Sequence, residues 1–357
     1  MYPKSEINHS SEGTATLAVP ASSDSQPTTH STSRRSLWAL VQILLGGLAL
    51  VFVLRKANLT EVVSHLKQVN LWYVLLAFGL NLVMLAAMSL RLSLLAWVHS
   101  RAVLFREVLL AQFHAAFING FVPGSLGGDA VRFYTLERTM RNKPLVLATL
   151  IVERLIGTWG VLLTAALALA ANHEFLNPRQ WLGGLVFFAG VVTVLTVVLF
   201  SQYLEQYLLA FLAFGWRQVS HWWGATFVKD IIKRMLGAAR AFRAAPGQIW
   251  LSLVVSLFVR LVWVLSAYSL ALALGLNLSL PILFGFISLV DVARMLPISP
   301  PNGLGVREAL LVYLLGQIGI GHEAALSYSL LIYALMTANA ILGGLLSITQ
   351  GVWKLRQ

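Results

Sequence analysis

Val122-Pro123-Gly124-Ser125-Leu126-Gly127-Gly128-Asp129-Ala130-Val131-Arg132 and Leu296-Pro297-Ile298-Ser299-Pro300-Pro301-Asn302-Gly303-Leu304-Gly305-Val306-Arg307-Glu308 are two polar, glycine-rich stretches set between hydrophobic runs. In each, a proline closes an apolar helical segment and a glycine bend follows. An arginine then stands four residues after a bend glycine, Gly128 before Arg132 and Gly303 before Arg307. Helices broken at matching places in two halves of a membrane chain point to a transporter-like binding site.

The surrounding composition fixes the class. Of 357 residues, 58% are hydrophobic and only 11% charged, and the mean hydropathy is +0.76, far from the balance of a soluble domain. The expectation is an all-α, polytopic membrane helix bundle, built as an inverted repeat with two broken or re-entrant helical hairpins. Cysteine is absent, which removes disulfides, thiolate metal sites and cysteine nucleophiles. The net charge of +12 comes from residues scattered among juxtamembrane loops, where orientation signals and anionic headgroups account for it better than nucleic acid does.

Residues 1–36 are rich in Ser, Thr and Pro without hydrophobic periodicity and end near Arg34-Arg35, which reads as a disordered cytoplasmic tail. A membrane domain follows over residues 37–352, leaving 353–357 as a short cytoplasmic end. Its expected spans are residues 37–54, 71–90, 145–171, 181–200, 249–276 and 324–352, each long enough for about 30 Å of hydrocarbon. Residues 108–132 and 281–320 are built of shorter apolar pieces around the two bends. Residues 202–247 mix Phe211, Trp216, Trp222 and Trp223 with Lys229, Lys233, Arg234 and Arg240, as an amphipathic segment on the cytoplasmic leaflet does.

Lys and Arg are concentrated in the tail, in residues 91–106, 132–143 and 202–248, and at Lys354 and Arg356. The positive-inside rule puts these in the cytoplasm, with both termini, for a multi-pass protein of the cytoplasmic (inner) membrane. On that map the two bend regions open to opposite sides, as inverted repeats require. Arg55, Lys56 and Lys67 fall on the outer side and disagree with it. Two full crossings in place of each re-entrant hairpin give the same end points.

Ionisable groups in hydrocarbon cost roughly 2.5 to 3.5 kcal/mol each on insertion scales, so they face partners or a wet cavity. Glu153 and Arg154 lie inside one apolar run, Arg260 inside another, and Asp291 with Arg294 inside the helix leading to Pro297. Asp291 and Arg294 are three apart and share a helix face; Glu153 and Arg154, being adjacent, need partners elsewhere. At the bends, glycine permits positive φ and close backbone approach, and a helix beginning there offers unpaired N–H groups to an anion. Arg132 and Arg307, expected in or near the first turn, add a guanidinium fork to that anion. Asp129 and Glu308 either cap those helices or neutralise the arginines. The candidate substrate-binding set is therefore Gly128, Asp129, Arg132, Glu153, Arg154, Asp291, Arg294, Asn302, Gly303, Gly305, Arg307 and Glu308. No Walker A loop, G-x-S-x-G elbow or H-E-x-x-H motif occurs, and His114 and His221 stand alone; neither an enzyme, a cofactor nor a metal is expected.

The residues from Asn119 to Arg132, Glu153-Arg154, and Asp291 to Glu308 with its Pro…Gly-Leu-Gly-Val-Arg-Glu end resemble the lysylphosphatidylglycerol synthase transmembrane family, also called the flippase-like domain family. The likeness covers the whole membrane part. In the family's multiple peptide resistance factors such a region translocates aminoacylated phosphatidylglycerol and precedes a soluble aminoacyl-transferase domain. Here the sequence ends at Gln357, so the resemblance implies movement of a lipid with an anionic headgroup rather than aminoacylation, with a separate lipid-modifying enzyme as an expected partner. It maps the family's bend arginines and adjacent acids onto Arg132, Asp129, Arg307 and Glu308, with Glu153, Asp291 and Arg294 as the intramembrane set. A membrane transferase for lipid-linked glycan and a lipid-binding accessory subunit are the alternative readings.

Overall fold

The fold is set by where long apolar runs alternate with short ones. The computed structural model describes residues 58–120, 126–171, 178–201, 237, 239–294 and 305–349, and all regular structure among them is helical. The tail, the expected span 37–54, residues 202–236 of the amphipathic segment and the end 353–357 lie outside the described residues.

A short helix, α1 (Leu59–Lys67), begins where the Asn58 side chain accepts the Thr60 N–H at 3.2 Å. The first long helix among the described residues, α2 (Leu71–Ala96), is capped in the same way by Asn70 on Trp72, at 3.1 Å. There follow α3 (Phe105–Asn119), α4 (Leu126–Met140), α5 (Lys143–Ala171), α6 (Pro178–Phe200), α7 (Pro246–Ala273), α8 (Leu280–Arg294), α9 (Val306–Gly316) and α10 (His322–Thr349). Among the described residues, five helices are long and apolar enough to cross a membrane: α2, α5, α6, α7 and α10. Their lengths of 20 to 29 residues correspond to about 30 to 43 Å. α3, α4 and α8, with 15 residues, and α9, with 11, are too short to cross singly.

Two halves share one packing scheme. In the first, long α2 precedes the short pair α3 and α4 and then long α5; in the second, long α7 precedes short α8 and α9 and then long α10. The starts of α2 and α7, and those of α3 and α8, are separated by the same number of residues. Each short pair packs on itself, α4 lies on α5 as α9 lies on α10, and α2 lies on α7. The halves also interlock, because α3 of the first packs on α10 of the second while α8 of the second packs on α5 of the first.

Small residues make these contacts close. Ser266 Oγ donates to the Ala77 carbonyl at 2.9 Å and Arg91 NH1 to Ser256 Oγ at 3.0 Å, so the beginning of α2 meets the end of α7 and the two run antiparallel. Ala77, Ser89 and Ser93 on α2 and Ser252, Ser256 and Ala267 on α7 are buried, the small-residue composition that lets membrane helices approach without a hydrophobic driving force. At the other junction, Gly343 of α10 lies against the Phe113 backbone of α3, and a side chain at Gly344 would meet the Phe117 ring at 2.8 Å. The main apolar core runs between α5, α7, α8, α9 and α10 through Leu162, Trp263, Phe286, Leu311 and Tyr328.

Candidate functional site

Polar side chains that local sequence leaves unpaired are joined by the fold into one network in each half. In the first, Glu153 of α5 accepts from Arg91 Nε of α2 at 3.1 Å and pairs again with its NH2. Arg91 NH1 donates to Ser256, so this guanidinium ties α2, α5 and α7 together. Gly157 makes room for it: a Cβ there would stand 3.0 Å from Arg91 NH1. The second carboxylate oxygen of Glu153 lies 3.7 Å from Arg132 NH1 of α4. Arg132 NH2 is 3.5 Å from Asp129, and Asp129 accepts from Arg154 NH1 at 2.9 Å. The order is Arg91, Glu153, Arg132, Asp129, Arg154.

Arg132 differs from its neighbours. Its side chain is only 12% exposed, yet its carboxylate contacts are longer than hydrogen bonds, and its buried Nε has no acceptor among the described residues. A desolvated cation held by Coulomb attraction alone is under-satisfied, and a ligand oxygen would complete it.

The second network is built on α7, α8 and α9. Asp291 accepts from Arg260 NH1 at 2.6 Å, Trp263 Nε1 at 3.1 Å and Arg294 NH1 at 3.2 Å. Arg260 NH2 reaches Ser288 at 3.4 Å. The buried Nε atoms of Arg260 and Arg294 have no acceptor among the described residues, and the Arg307–Glu308 pair acts on Arg294 through charge, without a direct contact among those residues. Gly305, at φ +87°, turns the chain into α9, and Glu308 Oε2 accepts the Gly305 N–H at 2.5 Å while Oε1 pairs with Arg307. The face of the Arg307 guanidinium covers the Tyr333 ring at 5.4 Å, and its NH1 points to Met336 Sδ at 3.4 Å, a weak acceptor.

The charge count is the same in both halves. Arg91, Arg132 and Arg154 face Asp129 and Glu153; Arg260, Arg294 and Arg307 face Asp291 and Glu308. Among the described residues each network thus sets three guanidinium groups against two carboxylates, one positive charge in excess, within a bundle of membrane-spanning length. Such an excess is costly in low dielectric unless an anion or water meets it.

Comparison with known proteins matches residues 39–344 to the family model described as lysylphosphatidylglycerol synthase TM region. The chain belongs to that family. It is also similar to a UPF0104 membrane protein of Methanothermobacter thermautotrophicus, 22% identical over 297 residues, which cover 78% of this chain and 86% of the relative. The family match spans both halves and both networks, so they belong to the membrane region that defines the family.

Within this family member several sequence-based expectations change. Residues 71–90 were the expected span and Arg91 was assigned to a loop; instead α2 continues to Ala96 and Arg91 is buried. The run Leu92-Ser93-Leu94-Leu95-Ala96 was the available signal, since an arginine with a partner does not end a membrane helix. Gly128 is not in the bend but in the first turn of α4. Its N–H donates to Asn119 Oδ1 at 2.8 Å, and a Cβ would collide with that side chain. Asn119, the last residue of α3, thereby caps α4. Arg132 lies in the second turn of α4, near the first as expected, and Arg307 in the first turn of α9. For Glu308, capping and neutralisation were alternatives, and it does both. Asp291 and Arg294 pair locally as their spacing implies, and Glu153 and Arg154 find partners on other helices. Asn302 and Gly303 lie outside the described residues.

Proposed function

We propose that this protein carries a lipid with an anionic headgroup across the cytoplasmic membrane, using its two arginine-rich networks as headgroup sites. The observation that carries the reading is Arg132, a mostly buried guanidinium without a hydrogen bond among the described residues, in a network with one cation in excess. A lipid phosphate or carboxylate satisfies both deficits, and guanidinium is the side chain suited to those oxygens. The second network, of the same charge, offers a second station, and the recurrence of the packing scheme supports an inverted repeat that rocks between sides. Both termini are then cytoplasmic, which reporter fusions at Met1 and Gln357 test; a reporter active only outside at Gln357 overturns that topology.

The chemistry needed is binding and release, without bond cleavage. Purified protein in vesicles of phosphatidylcholine with a small fraction of headgroup-labelled phosphatidylglycerol tests the reading directly. A membrane-impermeant quencher applied outside removes only the outer-leaflet signal, and its final extent should rise when the protein is present. No rise with any anionic lipid tried, but formation of a modified lipid in the presence of a donor, would favour the transferase alternative.

A further inference from the structure

Beside the first network an apolar groove of about 250 Å³ opens between α5, α6 and α7, walled by residues that include Ile156, Trp159, Leu163, Thr196, Phe200 and Leu253. Its two polar lining groups are already satisfied. Trp159 Nε1 donates to Thr196 Oγ1 at 3.0 Å, and Thr196 donates onward to the Val192 carbonyl at 2.7 Å. Water in such a groove would find almost no partner, whereas hydrocarbon loses nothing by entering. The groove also lies within three helices of membrane-spanning length, where the available hydrocarbon is lipid.

Its position relative to the charges is fixed by α5. Glu153 and Ile156 are one turn apart on that helix, so the Ile156 end of the groove lies one helical turn from the residue whose carboxylate Arg91 and Arg132 share. Gly157 and Gly160 hold α5 against Arg91 and Ser256, which keeps the charged face and the groove face of one helix in fixed relation. A molecule with an anionic group at Arg132 thus has an apolar space one turn of α5 beyond Glu153.

We propose that the α5–α6–α7 groove seats one hydrocarbon chain of the lipid whose headgroup enters the first network; this deepens the lipid-transport reading and rests on it. The occupant is a chain of a membrane lipid, and the seat makes chain shape, in addition to headgroup charge, a determinant of selection.

The test uses the full chain in phosphatidylcholine vesicles containing phosphatidylglycerol with a photoreactive diazirine midway along one acyl chain, with cross-links mapped by peptide mass spectrometry. Labelling of peptides holding residues 156–163 and 249–253 should exceed, several-fold, labelling of the exposed face of α10 at Ile341, Leu345 and Ile348. Leu253→Trp, which fills the groove, should remove the excess, and Leu253→Ala should retain it; Thr196→Trp replaces Leu253→Trp if that variant does not fold. Equal labelling of the two faces, or labelling unchanged in a folded groove-filling variant, overturns the proposal. If wild-type vesicles move lipid without groove labelling, only the chain seat falls. Groove labelling without any lipid movement instead refutes the transport reading and leaves the seat standing.

Discussion

Arg91 and Glu153 are 62 residues apart in sequence and meet by two guanidinium nitrogens on one carboxylate oxygen in the interior between α2 and α5. The pair holds the first half of the bundle to α7 through Ser256 and leaves only the far oxygen of Glu153 for Arg132. An interior ion pair of this kind is costly to break on one side, because the surviving charge stays buried.

Glu153→Gln is therefore expected to destabilise the protein by about 3 to 5 kcal/mol, the range for removing one member of a buried pair. Thermal unfolding in detergent checks this. Substituting both members with apolar residues, Arg91→Met with Glu153→Met, should cost less than Glu153→Gln alone. A double variant as unstable as the single one would show that the pair itself contributes the stability.

Arg132→Ala should have the opposite profile. With its carboxylate contacts at 3.5 and 3.7 Å and no hydrogen bond among the described residues, Arg132 contributes little that unfolding would report. Lipid movement in vesicles should fall at least tenfold while the melting temperature stays close to that of wild type, since a charged hydrogen bond to a ligand oxygen is worth about 1.5 to 3 kcal/mol. Arg132→Lys should recover only part of the activity, because an ammonium lacks the planar fork. Unchanged transport in Arg132→Ala would make this arginine a structural counter-charge.

Gly343→Ala should loosen the contact that fastens the α3–α4 hairpin to the second half. A methyl group at that position runs into the Phe113 backbone carbonyl, which cannot rotate away, whereas at Gly344 it meets the edge of the movable Phe117 ring. Overpacking of this kind costs about 1 to 3 kcal/mol, so Gly343→Ala should lower the melting temperature more than Gly344→Ala. The reverse order would mean that the hairpin is held elsewhere.

A pH effect is expected from His99, which follows α2 outside the membrane-spanning segments and packs edge-on against Phe242 at 4.7 Å between ring centroids. Burial holds its pKa below the ordinary 6.5, and its Nε2 has no partner among the described residues. The folded state thus prefers the neutral ring. Its contribution is fully present above pH 6.5 and is lost as the pH falls below that value, where the unfolded chain takes up the proton first. His99→Phe should flatten the melting temperature between pH 7 and 5 relative to wild type, and an unaltered acid slope would assign that slope to other groups.

Much of this protein follows from its sequence alone. Runs of apolar residues long enough for a bilayer dictate helices, because in hydrocarbon only a helix or closed barrel satisfies its own backbone. Proline and glycine clusters mark where those helices break, and Asp291 with Arg294 is legible because a three-residue spacing decides which side chains share a face. Buried charge without a local partner also marks Glu153 and Arg154 as residues that need the rest of the fold. What the sequence does not determine is who answers them. That Arg91 belongs to the interior, that Asn119 reaches across the bend to Gly128, and that Arg132 has no hydrogen bond among the described residues all depend on how α2, α4, α5 and α7 converge. Such convergence is set by the packing of small residues between helices far apart in the chain. Local periodicity records which face of a helix is turned inward, but not which distant side chain it meets there.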